Sequence, residues 1–159
     1  MDKAALLAHI KAELEQELAV IHAAASDARD AATHEDSQAE NQYDTRGLEA
    51  SYLAGAQASR AEALALRIQA LEFVTPKAFG KDDPVGLTAL VTADDGARTR
   101  TYFVAPEGGG LKAEQDGRTI LVITPKSPVG RALMERREGD LVEVMLKGKL
   151  VEMELVEVA

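Results

Sequence analysis

The chain has 159 residues, 46% hydrophobic but only 4% aromatic and without Trp, and it carries a net charge of -9 with a pI near 4.8. That length suits one ordinary domain or two small ones, and so few aromatics argue against one large core. The acidic balance excludes a protein that neutralises the DNA backbone, and the lack of Cys excludes disulfide and thiolate chemistry while fitting a reducing compartment.

The opening MDKAALLAHIKAELEQELAV is interrupted by charge every few residues, unlike a signal peptide, and no later stretch is long enough to span a bilayer. The expectation is a soluble cytoplasmic protein with no membrane partner. Residues 3–32 lack Gly and Pro and are rich in Ala, Leu and Glu, all strong helix formers. Leu7, Ile10, Leu14, Leu18, Ile21, Ala25, Ala28 and Ala32 fall at steps of three and four, one stripe of a helix. A second helical pattern runs from about Asn41 to Phe73, with Leu48, Tyr52, Leu64, Ile68 and Leu71 as its bulky members. Its middle is small (Ala54, Gly55, Ala56, Ala58, Ala61), and Gly47 and Gly55 would permit close packing.

Two helices of about 30 residues joined by a polar segment predict an antiparallel hairpin with arms of ~45 Å, too long to lie flat on a small domain. The joining stretch ATHEDSQAENQYDTR, residues 32–46, holds Glu35, Asp36, Glu40 and Asp44 with His34 and Tyr43 among them. A helix-to-helix turn needs only two to eight residues and no particular charge. Either this is a solvated turn with Asp36 or Ser37 capping the second helix, or its carboxylates hold something cationic. Arg29 and Arg46 could pair with Asp30 and Asp44.

TPKAFGKDDPVG, residues 75–86, carries two prolines and two glycines and marks a linker. Beyond it the pattern has period two. GLTALVTADDGARTRTYFVAP reads as two strands turning at Asp94-Asp95-Gly96, RTILVITP as a third, and GDLVEVMLKGKLVEMELVEVA as two more turning at Lys147-Gly148-Lys149. In SPVGRALMERREGD, Ser127 predicts an N-cap, Pro128 the first helical position, and Gly139 the close of a helix of two to three turns. The fold class is α+β: an N-terminal antiparallel α-helical hairpin, then a small antiparallel β domain with one short helix. Residues 1–74 hold 13 acids and 6 bases and residues 75–159 hold 14 and 12, so the halves suit different partners.

ITPKSPVGRALMERREGDLVEV, residues 123–144, resembles the C-terminal domain of the GreA/GreB transcript cleavage factor family in its Ser-Pro-x-small-x-x-Leu helix, Gly-Asp and alternating strand. DARD followed by EDSQAENQYDTR resembles that family's coiled-coil tip. The resemblance implies a coiled coil over 1–74 with an acidic tip near 33–44, a linker at 75–80, and an FKBP-like domain at 81–159 that binds bacterial RNA polymerase. It implies that Ser127, Pro128, Gly130 and Arg131 belong to the polymerase-binding region. It further implies that the tip enters the secondary channel, where Asp36 and Glu40, with Glu35 or Asp44 as possible substitutes, help hold a Mg²⁺ shared with the polymerase and not stably bound by this chain alone. Arg29 and Arg46 would steady the 3′ end of backtracked RNA, and DNA would be met only through the transcription complex. The chain would then be no enzyme itself but a stimulator of the polymerase's own RNA cleavage.

One departure bears on that last step. The family's cleaving members place two residues between the key acids, whereas Asp36 and Glu40 have three between them. A second reading is therefore a secondary-channel regulator that does not stimulate cleavage. A third is a prolyl isomerase or chaperone, which would line its pocket with aromatics; residues 80–159 offer only Tyr102 and Phe103.

Overall fold

The computed structural model describes residues 1–33 and 46–159. Its elements are α1 (Lys3–Thr33), α2 (Arg46–Glu72), β1 (Leu90–Asp94), β2 (Thr99–Val104), β3 (Lys112–Gln115), β4 (Arg118–Ile123), α3 (Pro128–Leu133), β5 (Leu141–Leu146) and β6 (Lys149–Val158). Among the described residues no helix is long and apolar enough to cross a membrane.

Helix α1 starts where Asp2 caps it. The Asp2 Oδ1 accepts from the backbone N–H of Ala4 at 2.9 Å and of Ala5 at 3.1 Å, satisfying two donors that a helix start leaves open. The chain divides into two compact units, Ala12–Gln69 and a second made of Met1–Lys11 with Ala70–Ala159. In the first unit Leu14, Ile21, Ala25 and Ala28 of α1 and Ala54, Ala61, Leu64 and Ile68 of α2 are buried, while Ala56 and Ala58, expected in the small part of the seam, are exposed. As α1 advances from Lys11 to Glu17, its ion-pair partner on α2 moves back from Glu72 (2.7 Å) to Arg60 (3.0 Å), the register of an antiparallel pair.

Two further expectations for α2 fail. Leu48 and Tyr52 are 56% and 71% exposed, because they fall off the phase that Ala54, Ala61, Leu64 and Ile68 set. Gly55 is exposed as well, and a Cβ there would meet nothing within 4 Å, so close packing is not its reason.

The other unit centres on a six-stranded sheet in the order β3-β4-β2-β1-β6-β5. Leu6, Leu7 and Ile10 of α1 are buried in this unit, which is why it reaches back past the 75–86 linker to include the chain start. Ile10 approaches so closely that a Cβ on Gly108 would lie 2.4 Å from its Cγ2. His9 Nε2 donates to the carbonyl of Lys112 at 3.1 Å, and Asp2 N to Gln115 Oε1 at 2.8 Å, fixing the first turns of α1 against β3.

The sheet has six strands where the sequence suggests five. The added strand is β3, paired with β4 through a two-residue turn in which Asp116 (φ 54) and Gly117 (φ 73) are both left-handed. That is the turn type whose twist matches a hairpin, and Asp-Gly is a preferred sequence for it. The extra reversal changes the parity of the chain. Strand β4 therefore runs parallel to β2, and the sheet is mixed instead of wholly antiparallel. The β5–β6 hairpin turns through Lys147 (φ 50) and Gly148 (φ 78), as the sequence indicates.

On one face of the sheet Val91, Tyr102, Val104, Val142, Val144 and Met153 form a core closed by Leu133 of α3. Helix α3 is shorter than expected. It ends at Leu133, Met134 donates back to Gly130 O at 2.8 Å, and Glu135 turns left-handed (φ 64). The chain leaves the helix there because Glu135 N donates to Val85 O at 3.0 Å and Val85 N to Arg136 O at 2.7 Å. Gly139 serves the next turn, its N–H donating to Leu155 O at 2.7 Å.

Candidate functional site

Two regions carry the sequence-based candidates: the start of α3, and the segment joining α1 to α2.

At α3 the backbone of Ser127 is extended (φ -69, ψ 157), and its Oγ accepts from Gly130 N at 3.0 Å while donating to Thr124 O at 2.8 Å. Pro128 fills the first helical position, where its missing N–H costs nothing. Arg131 N donates to Ser127 O at 2.9 Å, and its Nη1 to Lys126 O at 2.8 Å, so the guanidinium is folded over the cap. Pro128 and Arg131 are exposed, and Ser127 is half-buried. Gly130 is buried, and a Cβ there would stand 1.9 Å from Thr124 O. Its place in the motif is thereby steric: it lets the turn before the helix fold close beneath it. The surface that remains for a partner is made by Ser127, Pro128 and Arg131, with Lys126 and Arg136 exposed beside them.

Asp36, Glu40, Glu35 and Asp44, with His34 and Tyr43, lie outside the described residues. The structure describes what brackets them. Helix α1 ends at Thr33 with Arg29 exposed in its last turns, and α2 begins at Arg46. Among the described residues no three His, Asp or Glu side chains come together to hold a metal ion. His9 is spent on the Lys112 carbonyl and His22 is exposed.

The turn after β1, which the sequence indicates only as a turn, is an acid–base cluster. Asp95 Oδ1 accepts from Ala97 N at 3.0 Å and Arg98 N at 2.9 Å, and its Oδ2 lies 2.7 Å from Arg100 Nη1. The backbone N–H of Arg98, then that of Ala97 and the Arg100 charge, hold the Asp95 carboxyl below its usual range. Asp94 is lowered too, chiefly by the Thr99 hydroxyl and then by Gly96 N. Both acids thus tie the turn together, a role signalled by the Asp-Asp-Gly spacing.

Tyr102 and Phe103 are 2% and 0% exposed. Tyr102 donates its hydroxyl to Met153 Sδ at 3.9 Å inside the core, and burial raises its pKa. Both rings are spent in the interior, so neither is free to build the aromatic cradle an isomerase would present at its surface.

The family model described as "Transcription elongation factor, GreA/GreB, C-term" matches residues 81–159. Among curated proteins none matches the sequence. Among solved structures, the chain is similar to the GreA factor homolog 1 (Gfh1) protein of Thermus thermophilus, at 21% identity over 94% of both chains with a TM-score of 0.40. It is similar to Thermus aquaticus Gfh1 at 21% identity, over 94% of this chain and 91% of that one, with a TM-score of 0.41. A GreA/GreB elongation factor from Nitrosomonas europaea is 20% identical over 62% of this chain and 78% of its own, with a TM-score of 0.39. Through its C-terminal domain, residues 81–159, the chain belongs to the GreA/GreB transcription elongation factor family.

Proposed function

We propose that the chain binds bacterial RNA polymerase through residues 81–159, carries the acidic segment between α1 and α2 into the secondary channel, and promotes cleavage of backtracked RNA by the polymerase's own active site. The observation that carries this reading is the family membership of residues 81–159. It is supported by the antiparallel register of α1 and α2 on either side of the segment that holds Glu35, Asp36, Glu40 and Asp44.

These four side chains are hard oxygen donors, the kind Mg²⁺ prefers, and such sites often need only one or two protein carboxylates. Asp36 and Glu40 would hold the ion, jointly with the polymerase. When bound, it would supply charge stabilisation at the attacking and leaving oxygens of the phosphodiester. Arg29 and Arg46 flank the acids in sequence and would neutralise RNA phosphate near the 3′ end. The chain itself would remain no enzyme, and its place would be the cytoplasm, with the transcription complex.

The three-residue gap between Asp36 and Glu40 favours one alternative, a channel regulator that binds without stimulating cleavage. A stalled, backtracked elongation complex decides between them. The expected result is transcript shortening with the parent protein, none with Asp36→Ala plus Glu40→Ala, and equal polymerase binding by both. Binding without shortening by the parent would establish the regulator instead, and shortening by the double variant would remove these acids from the mechanism.

A further inference from the structure

The face of the sheet opposite α3 changes character across its width. Over β1, β2 and β4 its residues Leu90, Phe103, Ile120 and Val122 are buried. Over β5 and β6 the same layer is open: Leu141, Met145 and Leu150 are 61%, 57% and 61% exposed, and Val156 is 50% exposed. Met145 stands directly opposite Leu150 across the strands, whereas Leu141 faces Glu154, so the apolar groups lie at two ends of the strip with the Glu143–Glu152 pair between them.

Within this apolar frame sit Glu143, Glu152 and Glu154, all exposed and, among the described residues, without a hydrogen-bond or ion-pair partner. Glu143 is directly opposite Glu152, an arrangement that costs stability in the free protein. A groove of about 590 Å³ runs between this sheet and the 94–98 turn, with Leu141, Leu150, Glu152 and Glu154 in its lining. The strip from Leu150 to Val156 spans roughly 20 Å of strand, a size that fits a short segment better than a broad interface.

The charge selects the occupant. Three unpaired carboxylates outweigh the exposed Arg98 that also lines the groove, so the strip repels nucleic acid and anionic lipid, and a second copy would bring the same acids face to face. The surface around α3, with Lys126, Arg131 and Arg136 exposed, has the opposite sign. We infer that the β5–β6 half of this face is a second docking surface, which takes a protein segment presenting Lys or Arg beside Leu, Ile or Met. It lies apart from the exposed residues at the start of α3, and the inference does not depend on the proposed function.

The test uses the full chain and a synthetic amphipathic helix of Leu and Lys about three turns long, with a Leu/Glu helix of the same pattern as control. Backbone amide shifts in NMR locate the binding, and a titration gives its strength. The expected result is shifts confined to residues 141–146 and 149–156, with binding weakened about tenfold by Glu143→Lys plus Glu152→Lys and again by Leu150→Ser. Glu13→Lys plus Glu62→Lys, on the helices, should leave it unchanged. Shifts spread over α1 and α2, equal weakening by the helix variants, equal binding of the Leu/Glu peptide, or self-association through residues 141–156 would each overturn the inference.

Discussion

A methyl group at position 130 would collide with the Thr124 carbonyl, since no Cβ survives at 1.9 Å from a backbone oxygen. Gly130→Ala should therefore lower stability by about 1–3 kcal/mol, read as a lower urea midpoint. Ser127→Ala removes only the cap and should cost about 1 kcal/mol. The Ser127–Pro128 start was legible because capping is a rule about adjacent residues, whereas Gly130 owes its place to a carbonyl that the preceding turn folds beneath it. The Asp95–Arg100 pair makes a prediction about pH. Asp95's folded carboxyl lies below its ordinary value of 3.8, so the folded state binds fewer protons there. Its contribution is present above that value and is lost as pH falls through the folded pKa. Asp95→Asn should lower the melting temperature at neutral pH, and the gap to the parent should close under acid. A gap that persists unchanged at low pH would show that charge is not what holds this turn.

Among the elements, α1 and the β5–β6 hairpin were readable for opposite reasons: one has a long 3.6-residue period, the other a Lys-Gly turn between two alternating runs. Strand β3 has four residues and a single buried one, Ala113, too short a run for period two to declare itself. Its Asp116-Gly117 turn is nevertheless a usable signal, and the parallel pairing of β2 with β4 follows from it. In α2, Leu48 and Tyr52 have the bulk of core residues, but helical phase decides their exposure. Gly55 then becomes a plain weakness in an exposed helix. Gly55→Ala should raise stability by about 0.5–1 kcal/mol with no loss of polymerase binding. On β6, Glu152→Lys should also stabilise the free protein, by about 0.2–1 kcal/mol, through relief of its opposition to Glu143. Thermal melts at low salt check both, and an unchanged melt for Glu152→Lys would mean that the facing acids do not interact.

For the whole molecule, the change from helical to alternating texture at the 75–86 linker separated the two kinds of architecture. It did not place the compact units, because the first eleven residues pack with the sheet and so cross the chain's compositional border. That packing buries Leu6, Leu7 and Ile10, and it sets Ile10 against Gly108, a residue so distant in the chain that no local pattern encodes the contact. The candidate acids were legible only as composition, a run of carboxylates longer and more charged than a turn requires. The central claim is that this run acts inside the polymerase while residues 81–159 hold the outside. The chain has no cysteine, so Ser37→Cys offers one unique point for a photo-activated cross-linker beside Asp36. In a backtracked complex the expected cross-links go to the RNA 3′ end and the polymerase active centre. Cross-links confined to the polymerase's outer surface, or to residues 81–159 of this same chain, would contradict the account.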